Sequence, residues 1–95
     1  MKSYAVYILL CSDKTYYTGV TNDIDRRFAE HMEGLSPRSY TFRRRPLKVV
    51  FYQDFNDVHV AIDAEKQIKK WSVAKKKALI NEDFLLLPEL SKKVF

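Results

Sequence analysis

Residues 4–20 read YAVYILLCSDKTYYTGV, two runs dense in β-branched and aromatic side chains, separated by the polar stretch from Cys11 to Thr15. Such side chains fit a pleated, half-buried surface, and a polar break between two such runs marks a turn. The stretch therefore predicts a β-hairpin with strands over Tyr4 to Leu10 and Tyr16 to Val20. Successive strand residues point to opposite faces, so Tyr4, Val6, Ile8 and Leu10 share one face and Ala5, Tyr7 and Leu9 the other. In the second strand Tyr17 shares a face with Gly19. Two tyrosines on paired strands beside a glycine that uncovers backbone are either a cross-strand aromatic pair or the beginning of a chemical site.

Downstream of the hairpin, Thr21, Asn22 and Asp23 offer helix N-caps, Asp25 puts negative charge in a first turn, and Gly34 stands where glycine ends a helix. A helix is predicted over Asn22 to Glu33. Its apolar stripe is Ile24, Phe28 and Leu35, with Arg27 and His31 one turn apart along the edge. A histidine there is either a packed structural residue or a proton carrier.

From Leu35 to Leu47 no helical or strand period survives. This loop and the residue after it hold Arg38, Arg43, Arg44, Arg45 and Lys48 among the aromatics Tyr40 and Phe42. Cations for phosphates and π-faces for stacking are what a backbone-tracking nucleic-acid contact needs, although an exposed loop with plugged aromatics would have the same composition. A third strand follows over Lys48 to Gln53. Asn56 or Asp57 then caps a helix over Val58 to Lys70, and a third helix over Val73 to Ile80 carries Lys75, Lys76 and Lys77. The tail from Asn81 to Phe95 is expected to pack Leu85, Leu86, Leu87 and Leu90 back on the domain.

The second helix breaks its own pattern. Val58, Ala61, Ile62 and Ile68 mark its buried stripe, and Glu65 projects only about 20° from Val58 on a helical wheel. A carboxylate in an apolar face costs several kcal/mol unless it is paired or holds a cation. A salt bridge to Arg27 or another arginine and a metal-ligand role explain it equally well.

The whole chain has 95 residues, room for one core and one domain. Six Tyr, six Phe and one Trp with only two Gly are too apolar for a disordered basic tail. The single cysteine, Cys11, forms no internal disulfide, and two histidines cannot complete a four-ligand zinc site with it. No run is long and apolar enough to span a bilayer, and no leader-like succession of segments opens the chain, so a cytosolic protein is expected. The net charge of +5 is polarised: Arg38 to Lys77 holds 11 basic and 4 acidic residues, and the remainder 6 and 8. Such polarity favours a polyanion, nucleic acid before a membrane surface.

Taken in order, Val6-Tyr7-Ile8, Tyr17-Thr18-Gly19, Thr21 and Asn22 opening a helix with Arg27 and His31, and Glu65 on a later helix resemble the GIY-YIG nuclease domain over about residues 2 to 80. The small stand-alone bacterial members are the nearest look-alikes, through the run Glu65 to Trp71 and the following Ala74-Lys75-Lys76. The resemblance implies an α+β fold, a small three-stranded, mainly antiparallel sheet flanked by helices, with the nuclease domain over residues 1–80. It implies an endonuclease acting on nucleic acid, DNA ahead of RNA, with one divalent cation, Mg²⁺ or Mn²⁺, on Glu65. Tyr7, Tyr17, Arg27, His31 and Glu65 take the catalytic positions and Gly19 the motif glycine, while Arg38, Arg43, Arg44, Arg45, Lys69, Lys70, Lys75 and Lys76 are candidate phosphate contacts. Either Tyr7 or His31 could orient or deprotonate the attacking water. Val20 stands where some repair nucleases of the family have lysine, and Ala64 where an arginine often precedes the glutamate. A non-catalytic nucleic-acid-binding module of the same fold, or a nuclease subunit whose protein partner supplies target specificity, would carry the same pattern.

Overall fold

The computed structural model describes residues 3–81. The expected packing of the tail leucines falls outside them. Strand β1 (Tyr4–Leu10) is the centre of a three-stranded antiparallel sheet, flanked by β2 (Tyr16–Thr21) and β3 (Lys48–Phe55) in the order β2-β1-β3. The hairpin register sets Tyr7 opposite Gly19 and Leu9 opposite Tyr17. In its turn the Asp13 carboxylate accepts from the Thr15 amide and hydroxyl, and Lys14 takes a left-handed conformation at φ 69°. On the other side β3 pairs with β1 through a bulge between Ile8 and Leu9, and it runs two residues beyond the expected Gln53.

Every residue from Ala5 to Leu9 is buried, because each sheet face has its own core. Val6 and Ile8 pack with Phe55 against Ala61, Ala64 and Ile68 of α2 (Val58–Lys69) and Ala78 and Leu79 of α3 (Val73–Ile80). Tyr7 and Leu9 form the other core with Cys11 and Leu47, covered by Ile24 and Phe28 of α1 (Ile24–Glu33). A strand buried on both faces reads as an uninterrupted apolar run, which is what β1 shows. Among the described residues no helix is long and apolar enough to cross a membrane.

The helix ends follow local chemistry. Asp23 caps α1 by accepting from the Arg26 amide, Asp57 caps α2 at His59 and Val60, and Ser72 caps α3 at Lys75. Two expectations need correction. Gly34 closes α1 in the left-handed conformation, φ 67°, and turns the chain away, so Leu35 leaves the helical face and is 65% exposed, while His31 takes the buried place. In α2 the small residues Ala61 and Ala64, with Ile68, make the buried stripe and pack with Val6 and Ile8 of the sheet. Glu65 therefore sits at the margin of that stripe, not within it.

Candidate active site

β1 and β2 present Tyr7 and Tyr17 on one sheet face, and α1 lays Arg27 and His31 over them. The Tyr7 ring lies across Gly19: a Cβ at Gly19 would fall 2.5 Å from the phenol oxygen and 2.6 Å from Cζ. Only a residue without a side chain leaves that space. The Tyr7 hydroxyl meets His31 Nε2 at 3.1 Å, and His31 Nδ1 meets Thr41 Oγ1 at 2.8 Å. Thr41 Oγ1 in turn lies 3.0 Å from Ser39 Oγ. The Tyr17 ring stands edge-on to His31, centroids 5.1 Å apart, and 6.3 Å from that of Tyr7. Tyr7, His31 and Thr41 are 1%, 5% and 1% exposed, so this polar chain is internal.

Charge arrives from two directions. The Arg27 guanidinium is close enough for its charge to act on the Tyr7 phenol, and it pairs with Glu30 at 3.2 Å. Burial, reinforced by the neighbouring Tyr17, pushes the Tyr7 pKa up to about 12 against the pull of Arg27, and Glu65 is close enough to add to the rise. Burial, helped by the Arg27 charge, pushes His31 down from its ordinary value. Phenol and imidazole are thus both neutral near pH 7.

The Glu65 side chain is 14% exposed and its Oε2 lies 3.2 Å from Lys69 Nζ, so its partner is a lysine on its own helix, not the expected arginine. No cluster of three or more His, Cys, Asp or Glu side chains that could hold a metal occurs among the described residues. A cation at Glu65 would take one carboxylate from the protein and fill its shell with water and phosphate oxygens, which suits Mg²⁺.

Two concavities flank the polar chain. A cleft of about 230 Å³ is lined by Arg27, His31, Ser39 and Thr41 among others, and a hollow of about 300 Å³ by Tyr16, Tyr17, Thr18, Tyr40, Lys69 and Lys76. Desolvation lowers the Lys76 pKa. Lys70 is exposed, and Lys75 stands 5.0 Å from the centre of the Trp71 ring. Of the loop arginines, Arg38 and Arg43 are exposed, whereas Arg44 and Arg45 are engaged internally. Arg44 pairs with Asp13 at 2.9 Å, donates to the Tyr40 carbonyl and covers the Tyr40 ring at 3.8 Å. Arg45 donates to the carbonyls of Phe42 and Met32. The loop itself contains one 3-10 turn, Phe42–Arg44. Thr41 and Ser39 are site residues that the sequence did not single out, since a hydroxyl in an aperiodic loop carries no signal of burial.

The GIY-YIG catalytic domain family matches residues 3–78. Over 78 residues the chain is 45% identical to the UPF0213 protein of Syntrophus aciditrophicus, covering 82% of this chain and 90% of that one. It is 38% identical to the UPF0213 protein YsiG of Lactococcus lactis, covering 98% and 94%. Among solved structures, the UPF0213 protein of Bacillus halodurans superposes with a TM-score of 0.55 at 37% identity over 83% of each chain. The protein EF2693 of E. faecalis does so with a TM-score of 0.62 at 30% identity over 90% of each chain.

Proposed function

The chain belongs to the GIY-YIG family of nuclease domains, and from that premise we propose that it is a divalent-cation-dependent endonuclease that hydrolyses phosphodiesters in nucleic acid, DNA ahead of RNA, in the cytosol. The observation that carries this reading is the convergence on one phenol: Tyr7 meets His31, packs over Gly19 and lies beside Tyr17, with the charges of Arg27 and Glu65 close enough to act on it.

Hydrolysis requires an oriented water, neutralisation of the phosphoryl oxygens and relief of charge on the leaving oxygen. Arg27 suits the second task, since its planar fork matches a phosphate and its half-exposed pair with Glu30 is weak, worth about 0 to 1 kcal/mol. Its charge already acts on the Tyr7 phenol, so a phosphate held by Arg27 stands near that oxygen. With a pKa of about 12, Tyr7 does not act as a free phenolate near neutral pH. It takes the proton of the attacking water as it hands its own to His31, whose lowered pKa keeps Nε2 able to accept. Glu65 would hold the cation, which when bound stabilises charge on the leaving oxygen. The hollow beside Tyr17, with Lys69 and Lys76, gives the strand a cationic path away from the site.

The Lys69–Glu65 pair favours a second reading, a nucleic-acid-binding module without catalysis, because it neutralises the one carboxylate the chemistry needs. Nicking of labelled DNA and RNA with Mg²⁺ or Mn²⁺ separates the two. Metal-dependent cleavage that Glu65→Gln abolishes, with oligonucleotide binding retained, is the expected result. Tight binding without cleavage by the unmodified chain would select the module.

A further inference from the structure

The polar chain does not stop at His31, and its continuation has a direction. Among the described residues the buried Tyr7 hydroxyl has one hydrogen-bond partner, so its own O–H is left to donate there. The acceptor 3.1 Å away is His31 Nε2. A neutral imidazole that accepts at Nε2 carries its proton on Nδ1, which then donates to Thr41 Oγ1 at 2.8 Å. The Thr41 hydroxyl is left to donate to Ser39 Oγ at 3.0 Å, and Ser39 and Thr41 both line the cleft beside α1. Each donor in this sequence meets one acceptor, and reversing any one bond leaves a buried proton without a partner.

We propose that Thr41 is a positioning residue for the reaction: it fixes the tautomer of His31 and, with Ser39, carries the proton displaced from Tyr7 out to the cleft. The inference rests on the reading of Tyr7 as the group that meets the attacking water. The transfers balance. The water proton bonds to the Tyr7 oxygen, the Tyr7 proton passes to Nε2, the Nδ1 proton to Thr41 and the Thr41 proton to Ser39. The Ser39 proton leaves to solvent water in the cleft. No group in the chain changes net charge, which is why a dry interior can hold it.

The His31 ring nitrogens report this directly. In ¹⁵N-labelled full-length protein near pH 7.5, their NMR shifts are expected to show Nδ1 protonated and Nε2 bare. Thr41→Val keeps the shape but removes the acceptor, so the tautomer should move toward Nε2–H. Cleavage should then slow at least about tenfold at saturating substrate with KM little changed, and Thr41→Ser should restore both tautomer and rate. The acidic limb of the pH–rate profile should also move in Thr41→Val, His31 being faced by Tyr7 from β1, Tyr17 from β2 and Arg27 and Glu30 from its own helix. Wild-type protein with Nε2 protonated overturns the proposal, and that measurement stands even if Thr41→Val fails to fold. A Thr41→Val protein that cleaves at the wild-type rate overturns it while leaving the nuclease reading intact. A correct tautomer that shifts in Thr41→Val, in a protein that never cleaves, shows that Thr41 fixes the His31 tautomer but overturns the nuclease reading and, with it, the proton path.

Discussion

At Gly19 a missing methyl group decides whether Tyr7 can lie where His31 reaches it. The period of two put Tyr17 and Gly19 on one face, but only the pairing of Tyr7 with Gly19 shows why glycine is required there. Gly19→Ala would set a Cβ 2.5 Å from a buried phenol oxygen that is held by its hydrogen bond to His31. Overpacking of this kind costs about 1 to 3 kcal/mol. Chemical denaturation should show that loss, together with a broken Tyr7–His31 hydrogen bond, and an unchanged stability would mean that the ring yields freely. His31 makes a separate prediction. Its folded pKa lies below the unfolded value of about 6.5, so between the two the unfolded chain binds the extra proton. The stability is then fully present above about pH 6.5 and declines as the pH falls toward the folded pKa. Unfolding free energies from pH 7.5 down to 5 should fall in the native chain and flatten in His31→Gln. Parallel curves would place the titration elsewhere.

The elements were legible where capping chemistry is written in the chain. Asp23, Asp57 and Ser72 each accept at the head of a helix, and Gly34 ends α1, so the helix limits lie within two residues of the expected ones. Leu35 and Glu65 were misplaced because a helical wheel knows angles but neither where the helix stops nor which narrow residues its neighbour requires. Ala61 and Ala64 are the α2 residues buried in the core with Ile68, which leaves Glu65 at the edge of that stripe, one turn from Lys69 on the same helix. Lys69 is half-exposed and Glu65 14% exposed, so the ammonium end of the pair stays in solvent and the pair is worth about 1 kcal/mol or less. If Lys69 competes with a cation for Glu65, Lys69→Met should tighten Mn²⁺ binding by up to about fivefold at low salt, and Glu65→Gln should abolish it. Calorimetric titration of the three proteins decides the matter. Weaker binding by Lys69→Met would show that the lysine supports the site instead of blocking it.

Across the whole molecule, composition announced a basic half but not which of its cations are free. Arg44 ties the loop to the hairpin turn through Asp13, and its carbonyl accepts from the Ser12 amide at 2.8 Å. The Arg45 guanidinium fills the space beside Gly34, where a Cβ would come within 2.6 Å of Nη1. These contacts span stretches of sequence that no local pattern connects, so Arg38 to Arg45 reads as one uniform patch until the chain is folded. If the loop follows a nucleic-acid backbone, Arg38 and Arg43 make the contacts, and the other two arginines hold the loop in shape. Each phosphate neutralised on duplex DNA contributes about −0.9 to the slope of log K against log salt. Replacing Arg38 and Arg43 together with alanine should therefore flatten the slope by up to about 2 units and leave stability within about 0.5 kcal/mol. Replacing Arg44 and Arg45 should lower the melting temperature, with a smaller change of slope per residue removed. Binding isotherms for both double variants on one duplex, in the Glu65→Gln background with metal omitted, test the division. An unchanged slope in the Arg38 and Arg43 variant would turn this loop away from the strand and leave Lys69, Lys70, Lys75 and Lys76 as the surface that meets it.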